Sequence, residues 1–159
     1  MEKISLLSNR QLVLGVTGSV AAYKAVDLAS KLAQAGACVR VIMTDAAQKF
    51  VSPLLFRSIT GQAVFSDMWQ LDEHVQHVQM GEGADLLIIA PATANTIAKL
   101  ARGGADDLLS TVITAYDGPV VLAPAMNDVM WRNKSTQTNL HELSGRGYRV
   151  VPPGTGDLA

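Results

Sequence analysis

Apolar residues gather in short unbroken runs, separated by longer stretches where they recur every three or four positions. The runs at 12–16 (LVLGV), 38–43 (CVRVIM), 85–90 (DLLIIA) and 120–122 (VVL) have the length of strands covered on both faces. The pair Val64 and Phe65 and the segment 148–151 predict two shorter strands. Helical spacing fills 20–34, 53–59, 96–102, 107–114 and 133–147, and a further helical piece runs from Thr44 to Phe50. Pro53 sits where a helix starts, and Gly36, Gly61 and the Gly103–Gly104 pair sit where helices stop. On the first helix, Val20, Ala21, Lys24, Leu28 and Leu32 approximate one i, i+4 face. Two stretches resist this reading: 124–131 has the place of a loop, and 62–83 shows no sustained period.

Strands alternating with helices predict an α/β fold, a parallel sheet of about six strands with helices on both faces. The strand ends at Gly15, Thr44, Ala90 and Ala123 then lead into loops gathered on one edge. Open α/β sheets bind their ligands at that edge.

Composition narrows the class. The 159 residues are 48% hydrophobic and 17% charged, which suits one globular domain over 1–159. Lys and Arg number 13 against 14 Asp and Glu, with no basic run, so nucleic acid is not the expected ligand. The lone cysteine, Cys38, excludes an internal disulfide and suits a reducing, cytoplasmic location. The first residues lack the features of a signal peptide, and no apolar run is long enough to cross a bilayer.

Three of the loops carry candidate chemistry. In the first, GVTGS at 15–19, glycines let the backbone approach a ligand, and the helix that follows offers free N–H groups to an anion. Without G-x-G-x-x-G, a phosphate-bearing mononucleotide fits better than a dinucleotide; a tight turn with a helix cap is the competing reading. Thr93, Asn95 and Thr96 repeat the pattern after the 85–90 strand, either for a cofactor or for the helix's own N-terminus. Thr44 is placed to face the same crevice. Asp45 permits a rival reading as a ribose-binding acid, weakened by the missing third glycine.

The third loop, PAMNDVMW at 124–131, holds two Met, a Trp and an Asn. An amide among apolar groups can orient a carboxylate while its neighbours exclude water. Equally, Met130 and Trp131 can cap the core while Asn127 caps a helix. His74 and His77 are three apart, near Asp72 and Glu73, but the spacing matches no metal motif, and no metal is expected. His77 lies just upstream of a buried strand and has the better claim to a pocket, where it can move protons near neutral pH. Cys38 opens a buried strand and reads as structural, and His141 has no assigned role.

These motifs together resemble the flavin-containing cysteine decarboxylase family. The matching pieces are GSVAAYK at 18–24, TDAAQKF at 44–50, SITG at 58–61, HVQ at 77–79, ADLLIIAPATANTIAKLA at 84–101 and PAMNDVMW at 124–131. The last is the most specific and separates the decarboxylases from flavin prenyltransferases. The resemblance implies a Rossmann-like flavoprotein that binds FMN at a protomer interface of a homotrimer or dodecamer. It places Gly18, Ser19, Val20, Thr44, Thr93, Ala94, Asn95, Thr96 and Ala125 around FMN, with Ser58 and Thr60 reaching a neighbour's flavin. Asn127 would hold the substrate carboxylate, Met126 and Met130 would line the pocket, and His77 takes the place of the catalytic histidine.

The implied activity is FMN-dependent decarboxylation of 4′-phosphopantothenoylcysteine to 4′-phosphopantetheine in coenzyme A biosynthesis. It would proceed through a thioaldehyde and an enethiol, alongside a fused or separate phosphopantothenate-cysteine ligase. The alternatives are a peptidyl-cysteine decarboxylase, a flavin prenyltransferase and a non-catalytic flavin-binding regulatory subunit. One departure bears on the choice. The family carries a cysteine in a flap beyond the last strand, and the sequence stops at 154–159, about where that flap begins. The flap is therefore expected to be missing from this chain, and Cys38, in another element, cannot replace it.

Overall fold

The computed structural model describes residues 5–69 and 76–154. Six strands form one sheet in the order β3-β2-β1-β4-β5-β6, and every neighbouring pair is parallel. The strands are β1 (Gln11–Val16), β2 (Cys38–Met43), β3 (Val64–Phe65), β4 (Leu86–Ala92), β5 (Val120–Pro124) and β6 (Arg149–Val150). The helices are α1 (Ala22–Gln34), α2 (Pro53–Thr60), α3 (Gln76–Gly81), α4 (Ala94–Ala101), α5 (Leu108–Thr114), α6 (Asp128–Arg132) and α7 (Lys134–Gly145). The predicted α/β fold and its strand count hold.

Two apolar clusters, one on each face of the sheet, follow from the alternation of side chains along a strand. The first joins Val13, Ile42, Leu87, Ile89 and Leu122 to Ile97 of α4, Leu109 of α5 and Leu143 of α7. The second joins Leu14, Val16, Val39, Val41 and Met43 to Ala22, Ala25 and Ala29 of α1 and Phe56 of α2. β1 is central and covered on both faces, so Val13, Leu14 and Val16 are fully buried. Phe56 is also fully buried, a contribution of about 1.5–3 kcal/mol.

Several sequence expectations need correction. The face α1 buries is Ala22, Ala25 and Ala29, one step round from the predicted one. Val20 is 48% exposed and Lys24 is exposed, because small alanines let the helix lie close on the sheet. The piece after Thr44 contracts to a 3₁₀ turn at Ala47–Lys49. β4 continues through Pro91 to Ala92, two residues past the predicted end, with a register irregularity between Ile89 and Ala92. α3 was not foreseen, and the predicted loop at 124–131 contains α6. Gly61 ends α2 in the left-handed region at φ 69°, as its place in the sequence suggested.

Candidate active site

The C-terminal ends of β1, β2, β4 and β5 surround a cleft of about 1060 Å³. Gly18, Ser19, Val20, Thr44, Thr93, Ala94, Asn95, Thr96, Ala125, Met126, Asn127 and Met130 all line it. These residues come from four separate loops, and parallel strand order brings them together. Ser58 and Thr60 do not line the cleft of their own chain. Their hydroxyls donate to the carbonyls of Leu54 and Phe56 within α2. His77 falls in α3, with its side chain outside the described residues. His74, Asp72 and Glu73 lie outside them altogether.

The first loop is fixed both by close contact and by hydrogen bonds, among them Ser19 N–H to the Thr17 carbonyl at 2.9 Å. A Cβ on Gly18 would stand 2.4 Å from Cβ of Ala46 and 3.1 Å from that residue's carbonyl carbon. Glycine is needed there for the β1 and β2 loops to pack. Beyond it, Ser19 Oγ accepts from Ala21 N–H at 3.1 Å. α1 then begins with no side-chain cap and no acidic residue in its first turn. By contrast α2, α4, α5, α6 and α7 each receive a side-chain oxygen at the N-terminus. The N-terminus of α1 thus turns its positive dipole end toward the cleft, while the N–H groups of Ala21, Ala22 and Lys24 are bonded to Ser19 Oγ and to the carbonyls of Ser19 and Ala21.

The second loop resolves differently. Thr93 caps α4: its hydroxyl accepts from Thr96 N–H at 3.1 Å and donates to Thr96 Oγ1 at 3.0 Å. Buried Thr17 donates to the Pro91 carbonyl at 2.6 Å and accepts from Thr93 N–H at 3.1 Å, tying the β1 and β4 loops together. Asn95 is left exposed on the cleft wall. Thr44 Oγ1 accepts from Ala47 N–H at 3.2 Å, so it too serves its own turn.

In the third loop the helix-capping reading of Asn127 holds. Its Oδ1 accepts from Met130 N–H at 2.9 Å and caps α6. Because a backbone N–H needs an oxygen acceptor, this bond fixes which way the amide faces. The amide NH₂ is then the group free to donate to a ligand. Met126 and Trp131 are half-buried against the first apolar cluster, while Met130 is 45% exposed.

Much of the remaining wall was missed by sequence reasoning. Ser66, Asp67, Met68 and Trp69 follow β3, and Lys99, Asp106 and Asp107 come from the α4–α5 corner. Lys99 Nζ lies 2.7 Å from Asp106 and 3.1 Å from Asp107. Asp107 also caps α5 through a capping box with Ser110. Burial works to lower the Lys99 pKa, but the hydrogen bonds and charges of Asp106 and Asp107 outweigh it, leaving the ammonium above its ordinary value. Burial works to raise Asp107, yet bonds from the Ser110 hydroxyl and N–H and from Lys99 hold its carboxyl below the usual range. The available signal was ADD at 105–107 before an apolar period, a helix start; its link to Lys99 needed the turn geometry.

A sequence profile described as Flavoprotein matches residues 2–159. The chain belongs to the Flavoprotein family. Its cofactor class is accordingly a flavin. Over 156 residues this flavoprotein is 46% identical to the coenzyme A biosynthesis bifunctional protein CoaBC of Bacillus subtilis (strain 168), covering 97% of the chain and 38% of that protein. The chain thus spans less than two-fifths of the length of the curated relatives it matches. Among solved structures, the FMN-dependent cysteine decarboxylase SpaF superposes with a TM-score of 0.87 at 36% identity, over 94% of this chain and 87% of that one. A mutant PPC decarboxylase complexed with pantothenoylaminoethenethiol superposes with a TM-score of 0.80 at 34% identity, over 91% and 82%. Among the described residues no helix is long and apolar enough to cross a membrane.

Proposed function

We propose that this flavoprotein binds FMN and decarboxylates 4′-phosphopantothenoylcysteine to 4′-phosphopantetheine, a cytoplasmic step toward coenzyme A. The observation that carries the reading is Asn127. Its amide oxygen is tied to Met130 N–H, which leaves its NH₂ to donate at the wall of a flavin-sized cleft that Met126 and Met130 also line. The 46% identity to a CoaBC protein supports the same assignment. The cleft fits FMN on two counts. Its volume is large enough, and α1 leaves its N-terminus without a side-chain cap.

When bound, FMN supplies two-electron redox chemistry at the cysteine moiety. The loops after β1, β2 and β4 would hold it, with the phosphate at the N-terminus of α1. The Asn127 amide donates to the departing carboxylate and sets its orientation. Met126 and Met130 keep water from that carboxylate, which favours loss of neutral carbon dioxide. His77 is assigned the proton transfer, in keeping with its place in the family motif. A neighbouring copy in a trimer or dodecamer would bring Ser58 and Thr60 near the site, and a ligase, fused or separate, would supply the substrate.

The decisive assay uses purified protein with 4′-phosphopantothenoylcysteine and identifies products by mass. Conversion with loss of carbon dioxide supports the reading. Yellow protein that leaves this substrate untouched but decarboxylates a peptide ending in cysteine overturns the substrate assignment. Asn127→Asp sharpens the test, because Asp still caps α6 but presents a carboxylate to a carboxylate. It is expected to keep its flavin and melting temperature while kcat/KM falls by roughly 10³-fold, a loss of about 4 kcal/mol.

A further inference from the structure

We propose that the buried hydroxyl of Thr17 sets the spacing between the loops after β1 and β4, and that Thr17 is thereby a positioning residue for the cofactor. The inference rests on the reading above that FMN is bound with its phosphate at α1. Thr17 is 1% exposed and does not line the cleft. Gly18 and Ser19, which follow it, do line the cleft, as do Thr93, Ala94 and Asn95 of the neighbouring loop. Any effect of Thr17 on a ligand therefore passes through those two loops.

Hydrogen bonds join the four strand ends in the order β2-β1-β4-β5. Thr44 N–H donates to the Val16 carbonyl at 3.1 Å, and Ala125 N–H donates to the Ala92 carbonyl at 3.2 Å. Those two junctions are backbone to backbone. The junction between β1 and β4 is different. Their paired residues end at Gly15 and Ile89. Two residues on stands Pro91, which has no N–H to continue the ladder. The Thr17 hydroxyl takes over there, donating to the Pro91 carbonyl at 2.6 Å and accepting from Thr93 N–H at 3.1 Å. A hydroxyl can do both at one atom. The Thr17 carbonyl also accepts from Ser19 N–H at 2.9 Å, so one residue holds the turn at Gly18 and Ser19 and the start of the next loop. Without the hydroxyl, the buried Pro91 carbonyl loses its donor and Thr93 N–H its acceptor, and the two loops are no longer tied. A flavin that carries a phosphate must meet both loops at once. Riboflavin, which lacks the phosphate, can settle against one.

The test measures the dissociation constants of FMN and of riboflavin for the apoprotein. The parent is expected to bind FMN more tightly. Thr17→Val keeps the shape of the side chain and removes the hydroxyl. It should weaken FMN binding roughly thirtyfold and riboflavin binding less than about threefold, so that the preference for FMN narrows about tenfold. Thr17→Ser returns the hydroxyl and should restore the preference. Thr17→Ala removes the hydroxyl within a smaller side chain and should narrow the preference as well, which decides the matter if the valine variant does not fold. A preference that survives removal of the hydroxyl overturns the proposal. So does an equal loss of affinity for both flavins, the mark of a bond that serves stability alone, and so does a serine variant that restores nothing. A parent that binds both flavins equally refutes the placement of the phosphate at α1, and the proposal with it. That comparison involves no variant, so the two failures are told apart.

Discussion

Two neighbouring strand-to-helix loops line the cleft, and they use the same kind of sequence for different ends. After β1, the loop through Gly18, Ser19 and Val20 delivers α1 with its N-terminus uncapped. After β4, the loop at Thr93 delivers α4 with its N-terminus capped by the threonine itself. Both loops follow a buried strand, and both carry a hydroxyl residue at the turn. The difference lies in what the hydroxyl bonds. Ser19 serves the turn before α1, whereas Thr93 satisfies the first turn of α4. A helix end left open beside a cleft is a place for an anion, and a capped one is a wall. The flavin phosphate is therefore expected at α1, with α4 contributing shape and the exposed amide of Asn95.

This contrast can be broken from either side. The largest effect is expected from Gly18→Val, which drives a branched side chain into Ala46. Overpacking of this kind costs about 1–3 kcal/mol, and displacement of the loop should weaken flavin binding by roughly a hundredfold, read by flavin titration of the apoprotein. Next is Val20→Asp, which sets a carboxylate on the exposed rim at the open helix end. The charge suits the helix dipole but competes with a ligand phosphate. Flavin affinity should drop about tenfold while the melting temperature of the apoprotein holds or rises. A variant that binds flavin as well as the parent would show that the phosphate sits elsewhere.

Thr93→Val tests the capped side and should show the reverse pattern. Loss of the cap and of the bond to Thr96 should cost about 1 kcal/mol of stability, a few degrees in melting temperature, with a smaller effect on flavin affinity. The smallest expected effect is at the acidic corner. Asp107 titrates below its unfolded value, so its contribution to stability is present above the ordinary carboxylate pKa of about 3.9. That contribution is lost as pH falls through the lower, folded value. Lys99 titrates above its unfolded value, so its share is complete below that value and is lost as strongly alkaline pH passes the folded one. Asp107→Asn should flatten the acid limb of a denaturation-against-pH series and leave the neutral plateau slightly lower.

Much of the fold was legible because buried parallel strands announce themselves. The runs ending near Gly15, Met43, Ala90 and Leu122 could be read from unbroken apolar character, and Gly36 and Gly61 marked helix ends through the backbone freedom they require. α6 was hidden because five residues with no buried member carry no apolar period. The true face of α1 was hidden because its buried positions are alanines, which register weakly against Leu28 and Leu32 although the sheet selects them. That the strand-end loops share one cleft was legible through parallel topology, while Val20, Ala94 and Ala125 were assigned to it only by the family resemblance. The Lys99, Asp106 and Asp107 corner was not, because its members pair across the turn between α4 and α5.

The sequence by itself determined the alternation of strands and helices, the edge at which the loops collect and the family to which its motifs belong. These depend on local composition and on the fixed geometry of parallel crossovers. The tertiary structure decided which hydroxyls are spent on caps and which helix end stays open. It also decided which way the Asn127 amide faces, and that one buried hydroxyl, on Thr17, ties the β1 and β4 loops together. Each of those depends on distances between residues far apart in the chain, and only packing sets such distances.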